Sequence, residues 1–229
     1  MVGGLAPPAE ADEAAREADA AREVIFVLES AQLEAAQVGK TYQLLNCDDH
    51  ATYLLKHKKD PALFRPDITH QALLMILDSP LNKAGKVKGI YIHTCRNVLI
   101  QVNPKVRIPR TFKRFCGLMV QLLQKLSIRA TNGPDKLLKV VKGPVTKYLP
   151  ANARRVGFSV QANLRPMHDF VKSDLAEGVP VVFVVGAFAH GAIDASYVDE
   201  EVAVSAYSLS AAYALARITN AMEMKWGIL

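Results

Sequence analysis

Val181-Val182-Phe183-Val184-Val185 runs without interruption into Gly186-Ala187-Phe188-Ala189-His190-Gly191. An unbroken β-branched run of this length reads as a strand buried on both faces, the mark of a parallel sheet in an α/β fold. A second run of the same kind, Val202-Ala203-Val204-Ser205, leads into Ala206-Tyr207-Ser208-Leu209-Ser210 and an Ala-rich helix. Ligands of open α/β sheets bind in the crevice beyond the carboxyl ends of such strands. Two small-residue loops there would offer backbone N–H groups and close approach to a small molecule. A Gly turn after a strand is also a common structural feature, so the pairing of the two loops carries the argument.

Neither loop is G-x-G-x-x-G or G-x-x-x-x-G-K-[ST]. Without a lysine for the β/γ-phosphates or a following Ser/Thr for magnesium, ATP hydrolysis is disfavoured, and the loops read as an adenosyl pocket built from main chain. The missing dinucleotide fingerprint likewise sets a Rossmann oxidoreductase far behind. His190 reads as a packing or exposed residue, His93 as an outward one and Cys116 as core; no nucleophile is assigned.

The 229 residues, half of them apolar, suffice for one domain of ordinary size. No apolar run is long enough for a membrane span, and the start has no secretory signal pattern. Cys47, Cys95 and Cys116 are odd in number and share no C-x-x-C spacing, so reduced thiols and no metal are expected.

Charge is placed unevenly. Residues 1–23 hold six acids against Arg16 and Arg22, and 1–22 read as a disordered acidic, Ala-rich tail ahead of a single domain over 23–229. Residues 101–155 hold thirteen Lys and Arg against the single acid Asp135, the footprint expected for a polyanion partner. Within them, Arg107 precedes Arg110 and Arg114, which are four apart and share a face if helical. Guanidinium forks bind phosphate in a way lysine cannot. The alternative is an arginine face paired with acids, but 101–134 contains none.

Along the chain, Val24–Leu28 reads as a buried strand, Ala31–Val38 as the start of a helix, and Lys40–Leu63 as loop with a short helix near Tyr53–Lys56. Asp67 or Thr69 can cap a helix over Leu73–Leu77, and Asp67 can also orient Arg65 across Pro66. Gly89–Thr94 and Asn97–Val102, flanking a short Cys95-Arg96 turn, read as a hairpin. Thr111–Leu126 is an amphipathic helix, with Phe115, Leu118, Met119, Leu122, Leu123 and Leu126 on one face. Pro134–Val141 reads as a short basic helix, Arg155–Val160 as a strand and Asp169–Leu175 as a helix. Ser210–Trp226 closes the chain as a helix that buries a narrow face of small residues.

Long motifs now become recognisable. RPDITHQALLMILDSPLN (65–82), Tyr91–Ile100, VNPKVRIPRTFKRFCGLMVQLLQKL (102–126), Gly133–Val141, VFVVGAFAHG (182–191) and Ser208–Ala211 closely resemble the N1-specific pseudouridine methyltransferases of small-subunit rRNA. These are ribosome-biogenesis proteins of the SPOUT, or α/β-knot, superfamily. The resemblance spans about residues 24–229. It implies a mostly parallel α/β sheet flanked by helices, with a β-hairpin and helical extension and a C-terminal deep trefoil knot over about 156–229.

The same resemblance implies a homodimer, S-adenosyl-L-methionine as cofactor, 18S rRNA as substrate, other pre-ribosome assembly proteins as partners, and a nucleolar location. Its cofactor residues fall on Gly186, on Gly191, Ala192 and Ile193, on Ala206, Tyr207, Ser208, Leu209, Ser210 and Ala211, and on Ser159. Its RNA contacts fall on Arg65, Arg107, Arg110 and Arg114, with Arg65 and Asp67 as the catalytic pair. Residues 146–180 depart most from the family pattern. An RNA-binding assembly factor with a vestigial pocket is the non-enzymatic alternative.

Overall fold

A computed structural model describes residues 22–131, 133–193 and 196–229, so the N-terminal tail expectation lies outside the described residues save Arg22. One eight-stranded sheet organises the chain. Its strands are β1 (Val24–Ala31), β4 (Val87–Thr94), β5 (Leu99–Val102), β6 (Ser127–Arg129), β7 (Lys136–Val141), β8 (Arg154–Leu164), β9 (Val181–Gly186) and β10 (Glu200–Ala203), in the order β10-β8-β9-β1-β4-β5-β7-β6. The first five in that order run parallel. The remaining pairs are antiparallel. A separate hairpin joins β2 (Ala35–Val38) to β3 (Thr41–Leu44).

Strands β1 and β9 are buried along nearly their whole length because both lie inside the sheet with side chains covering each face. Helix α1 (Cys47–Lys56) closes a small separate core of Leu45, Leu54 and Phe64, while on one face of the sheet pack α2 (Pro66–Asp78), α3 (Pro80–Lys83), α4 (Phe112–Lys125), α5 (Met167–Ser173) and α6 (Ala211–Trp226), over a core that includes Phe26, Ile90, Phe115 and Phe183. The other face carries a smaller core of Ile25, Val27, Tyr91, Val182 and Val184 under the 145–153 segment. Ser210 caps α6 by accepting from the Tyr213 N–H, and Gly227 ends it at φ 64°. Leu126 ends α4 in the left-handed region and is exposed rather than part of the apolar stripe.

Four sequence expectations are corrected. Residues 35–38 form a strand rather than a helix, because the turn at Gly39 folds them back on 41–44. Lys136–Val141 is also a strand: the edge of β5 offers hydrogen bonds from Leu99–Val102 that outweigh the helical spacing of its leucines. The helix near Tyr53 begins earlier, at Cys47, where the Asn46 side chain accepts from the Asp49 N–H. Strand β8 does not stop at Val160 but continues to Leu164, leaving Ser159 mid-strand.

Candidate active site

Parallel strands β1, β4, β8, β9 and β10 all point their carboxyl ends toward one edge of the molecule, and there the chain encloses a cavity of about 380 Å³. That volume lies within the range of small-molecule and cofactor sites. Its walls come from Phe158–Gln161 of β8, the end of β9, the loop 188–193, the segment after β10 and the first turns of α6. Ser159, Gly186, Gly191, Ala192, Ile193, Tyr207, Ser208, Leu209 and Ala211 all line it. Ala206 and Ser210 do not; the Ser210 hydroxyl is spent on the helix cap.

Local backbone requirements explain the glycines. Gly191 sits at φ +129°, a conformation that L side chains rarely adopt. At Gly186 a Cβ would stand 2.5 Å from the Phe188 ring, so its absence lets that ring fold over the strand end. The lining mixes apolar Val160, Val185, Ile193 and Leu209 with polar Ser159, Gln161, Ser205 and Ser208. Among the described residues, no carboxylate and no lysine lines it. An adenosyl group suits such a chamber: apolar walls for a flat base and hydroxyl and amide partners for a sugar. Sequence reasoning missed Phe158, Val160, Gln161, Phe188 and Ser205 as lining residues. Phe188 stood in the quoted loop, but no spacing marked the β8 residues.

Beside the chamber, a buried carboxylate organises the same strand ends. Glu29, 3% exposed near the end of β1, accepts from Tyr197 Oη at 2.6 Å and from His93 Nδ1 at 2.7 Å. Its backbone carbonyl accepts from the Ala187 N–H. The expectation that His93 simply points outward is therefore corrected. Burial pulls the His93 imidazolium down, but hydrogen bonds to Asn97 and Glu29 and the Glu29 charge outweigh it and set its pKa above the ordinary value. Burial, with the Glu29 carboxylate, pushes the Tyr197 phenol up, so it stays a donor. His190 is exposed at the cavity rim. Cys116 is half-buried against the core, and burial pushes its thiol up to about 11, which keeps it from acting as a thiolate.

Arg65 and Asp67 form a two-pronged pair, Nε to Oδ1 at 2.8 Å and Nη2 to Oδ2 at 2.7 Å. The hydrogen bonds it donates to Asp67 raise the Arg65 pKa further, so the guanidinium stays charged. This pair sits at the N-terminal end of α2, where Arg65 is the N-cap residue and no side chain caps. Neither Asp67 nor Thr69 caps the helix, which corrects that expectation; Asp67 is turned toward Arg65, and the buried Thr69 hydroxyl has no partner.

The other arginines are arranged differently from the sequence expectation. Helix α4 starts at Phe112, so Arg110 precedes it and shares no helical face with Arg114. Arg110 grips Asp78 at 2.6 and 3.1 Å, an acid 32 positions away in sequence. Arg107 and Arg114 are exposed and have no ion pair among the described residues. Arg65 and Asp78 mark opposite ends of the 13-residue α2, about 20 Å apart at 1.5 Å per residue. The arginines thus form a track along α2, and none of the four lines the cavity.

Known proteins bear out this architecture. The family model described as EMG1/NEP1 methyltransferase matches residues 26–223. The chain is 55% identical over 208 residues to "Ribosomal RNA small subunit methyltransferase NEP1" of Homo sapiens, covering 91% of this chain and 84% of that protein. A Drosophila melanogaster protein of the same name is 47% identical over 212 residues, covering 90% of this chain and 84% of that one. In fold, the chain matches the crystal structure of Archaeoglobus fulgidus Nep1 bound to S-adenosylhomocysteine, with TM-score 0.67, 23% identity, and 90% and 99% of the two chains covered. The chain belongs to the EMG1/NEP1 methyltransferase family.

Proposed function

We propose that this chain transfers a methyl group from S-adenosyl-L-methionine to N1 of a pseudouridine in small-subunit (18S) rRNA, as a knotted homodimer in the nucleolus that works beside other pre-ribosome assembly proteins. The observation that carries the reading is the cavity: nine of the eleven residues on which the family resemblance puts the cofactor line one chamber at the carboxyl ends of the parallel strands. Names of the relatives support rRNA as substrate, and the ligand of the Archaeoglobus protein supports the cofactor.

When bound, the cofactor supplies a methyl already activated on a sulfonium. The chain's own task is then to align an acceptor nitrogen and exclude water. N1 of pseudouridine carries a proton, so negative charge develops on the base as that proton leaves. Arg65, held in one orientation by Asp67, takes the role of stabilising that charge, a reading supported by the two-pronged pair. Arg107 and Arg114 hold flanking phosphates of an unpaired segment, whose splayed bases are open to recognition. A dimer is supported by Val160, Leu164, Tyr207 and Tyr213, large apolar side chains more than half exposed around the chamber. A second copy covering them would also bring a second arginine track toward the chamber. The non-enzymatic alternative is not favoured, since it leaves the chamber without an occupant.

Purified chain, incubated with S-adenosylmethionine and small-subunit rRNA, should yield N1-methylpseudouridine at one position by mass spectrometry. Methyl found on another atom or base, or on none, would overturn the reading.

A further inference from the structure

Strand formation by Lys136–Val141 divides the basic block between two faces of the sheet. Tyr91, Gln101 and Lys139 stand opposite one another across β4, β5 and β7. Directly paired residues share a face, and Tyr91 belongs to the core on the face away from the helices. Arg107, Arg110 and Arg114 lie on the helical face, where Ile108 and Phe115 enter the main core. Lysines of β7 therefore point away from the arginine track.

On that open face lies a cavity of about 220 Å³ lined by Lys88, Gly89, Gln101, Asn103, Lys136 and Lys139, among others. No carboxylate among the described residues lines it. Lys136 and Lys139 are exposed and have no ion pair among the described residues, whereas Lys88 lies 3.9 Å from Glu23. Exposed Asp135 precedes the strand and is the one acid of the block. Gly89 allows the Tyr91 ring to lie close, and Tyr91 stacks with Tyr148 at 5.8 Å. From Lys136 to Lys139 the row spans about 10 Å at 3.3 Å per residue, a length suited to two successive phosphates of a strand rather than one small anion.

We propose that this lysine-lined cavity is a second RNA site that binds the phosphodiester backbone without regard to sequence, on the sheet face opposite the arginines. It rests on the rRNA reading above and extends it: a structured RNA would be gripped on two sides of one subunit. Ammonium groups beside amide side chains suit a groove that tracks a phosphodiester backbone.

The test uses the full chain with Lys136→Ala/Lys139→Ala, a 20-residue oligouridine and small-subunit rRNA, titrated at several salt concentrations. Each lost single-strand phosphate contact reduces the salt slope by about 0.7. The double variant should therefore lose about 7-fold less affinity for oligouridine than the parent between 50 and 200 mM salt. Lys136→Arg/Lys139→Arg should keep the parental slope, and S-adenosylhomocysteine affinity should stay unchanged in both. An unchanged slope overturns the site, and so does saturable binding of inorganic phosphate by Lys136 and Lys139 without any change in RNA affinity. Arg107→Ala/Arg114→Ala is run in parallel. If only the arginine variant changes the slope, the lysine site falls and the rRNA reading stands. If the lysine variant changes it but the chain methylates no rRNA, the reverse holds.

Discussion

Replacing Tyr197 by Phe removes one hydroxyl and tests whether Glu29 ties down the loop that lines the cofactor chamber. Glu29 holds that loop at two places, through its carbonyl at Ala187 and through its carboxylate at Tyr197 Oη. The Phe188–Ile193 wall lies between them. A hydrogen bond to a charged acceptor contributes about 1.5–3 kcal/mol, and here the carboxylate is nearly inaccessible to replacement water. A loss of about 2 kcal/mol in a chain of this size corresponds to a Tm lower by roughly 4–8 °C. Because the tie ends in the chamber wall, S-adenosylhomocysteine affinity should fall at least about fivefold, or 1 kcal/mol, by calorimetry.

His93 adds a pH signature. Both its ring nitrogens face oxygen acceptors, Glu29 Oε2 and Asn97 Oδ1, which suits the doubly protonated ring. A group whose pKa is raised on folding stabilises fully below its ordinary value of 6.5, and that stabilisation is lost as pH rises through the raised one. The parent's Tm should therefore decline above about pH 6.5 relative to Glu29→Gln, which lacks the charge. A Tyr197→Phe protein melting within 1 °C of the parent, together with parallel pH curves for Glu29→Gln and parent, would refute the reasoning.

Asp67→Ala frees Arg65 from its two-pronged partner. The pair is 41% and 27% exposed and no cap is lost, so stability should drop by only about 0.2–1 kcal/mol while turnover on rRNA falls tenfold or more. Parental turnover would remove the orienting role. Gly186→Ala forces the Phe188 ring off its site, toward the chamber; S-adenosylhomocysteine affinity should fall about tenfold with little change in Tm, and unaltered binding would argue against the chamber as the cofactor site. Cys116 should be about 0.1% thiolate at pH 8 and alkylate slowly. Cys116→Ser should keep methyl transfer within about twofold, since nothing in the chemistry uses it; a larger loss would reopen its role.

Sequence patterning was strongest where one structure satisfies every local preference. The apolar run 181–185 is a strand buried on both faces, and the stripe through Phe115, Met119 and Leu122 is helical, as expected. Lys136–Val141 failed because its leucines fit both periods, and only the free edge of β5, more than 30 residues earlier, decides between them. Site legibility follows the same division. Gly186 and Gly191 were visible because backbone geometry demands glycine. The Glu29–His93–Tyr197 tie joins residues 64 and 168 positions apart, and no spacing rule connects them. A count of nearby acids missed the Asp78 partner of Arg110 for the same reason: ion pairs follow the fold rather than the chain.

That last pair ranks the arginines. An RNA phosphate that binds Arg110 must first replace Asp78, whereas Arg107 and Arg114 present unpaired guanidinium groups among the described residues. With the Arg110 side chain 74% exposed, the bridge to Asp78 is worth no more than about 1 kcal/mol, so phosphate can displace it at a modest energetic cost. Single Arg107→Ala or Arg114→Ala variants should then weaken rRNA binding more than Arg110→Ala does. Asp78→Ala should tighten binding by up to about fivefold at low salt, because it releases Arg110 and removes a negative charge from the track. Binding that is equal or weaker in Asp78→Ala would mean that Asp78 holds Arg110 in its RNA-binding pose, as Asp67 holds Arg65, and the order of the three arginines would invert.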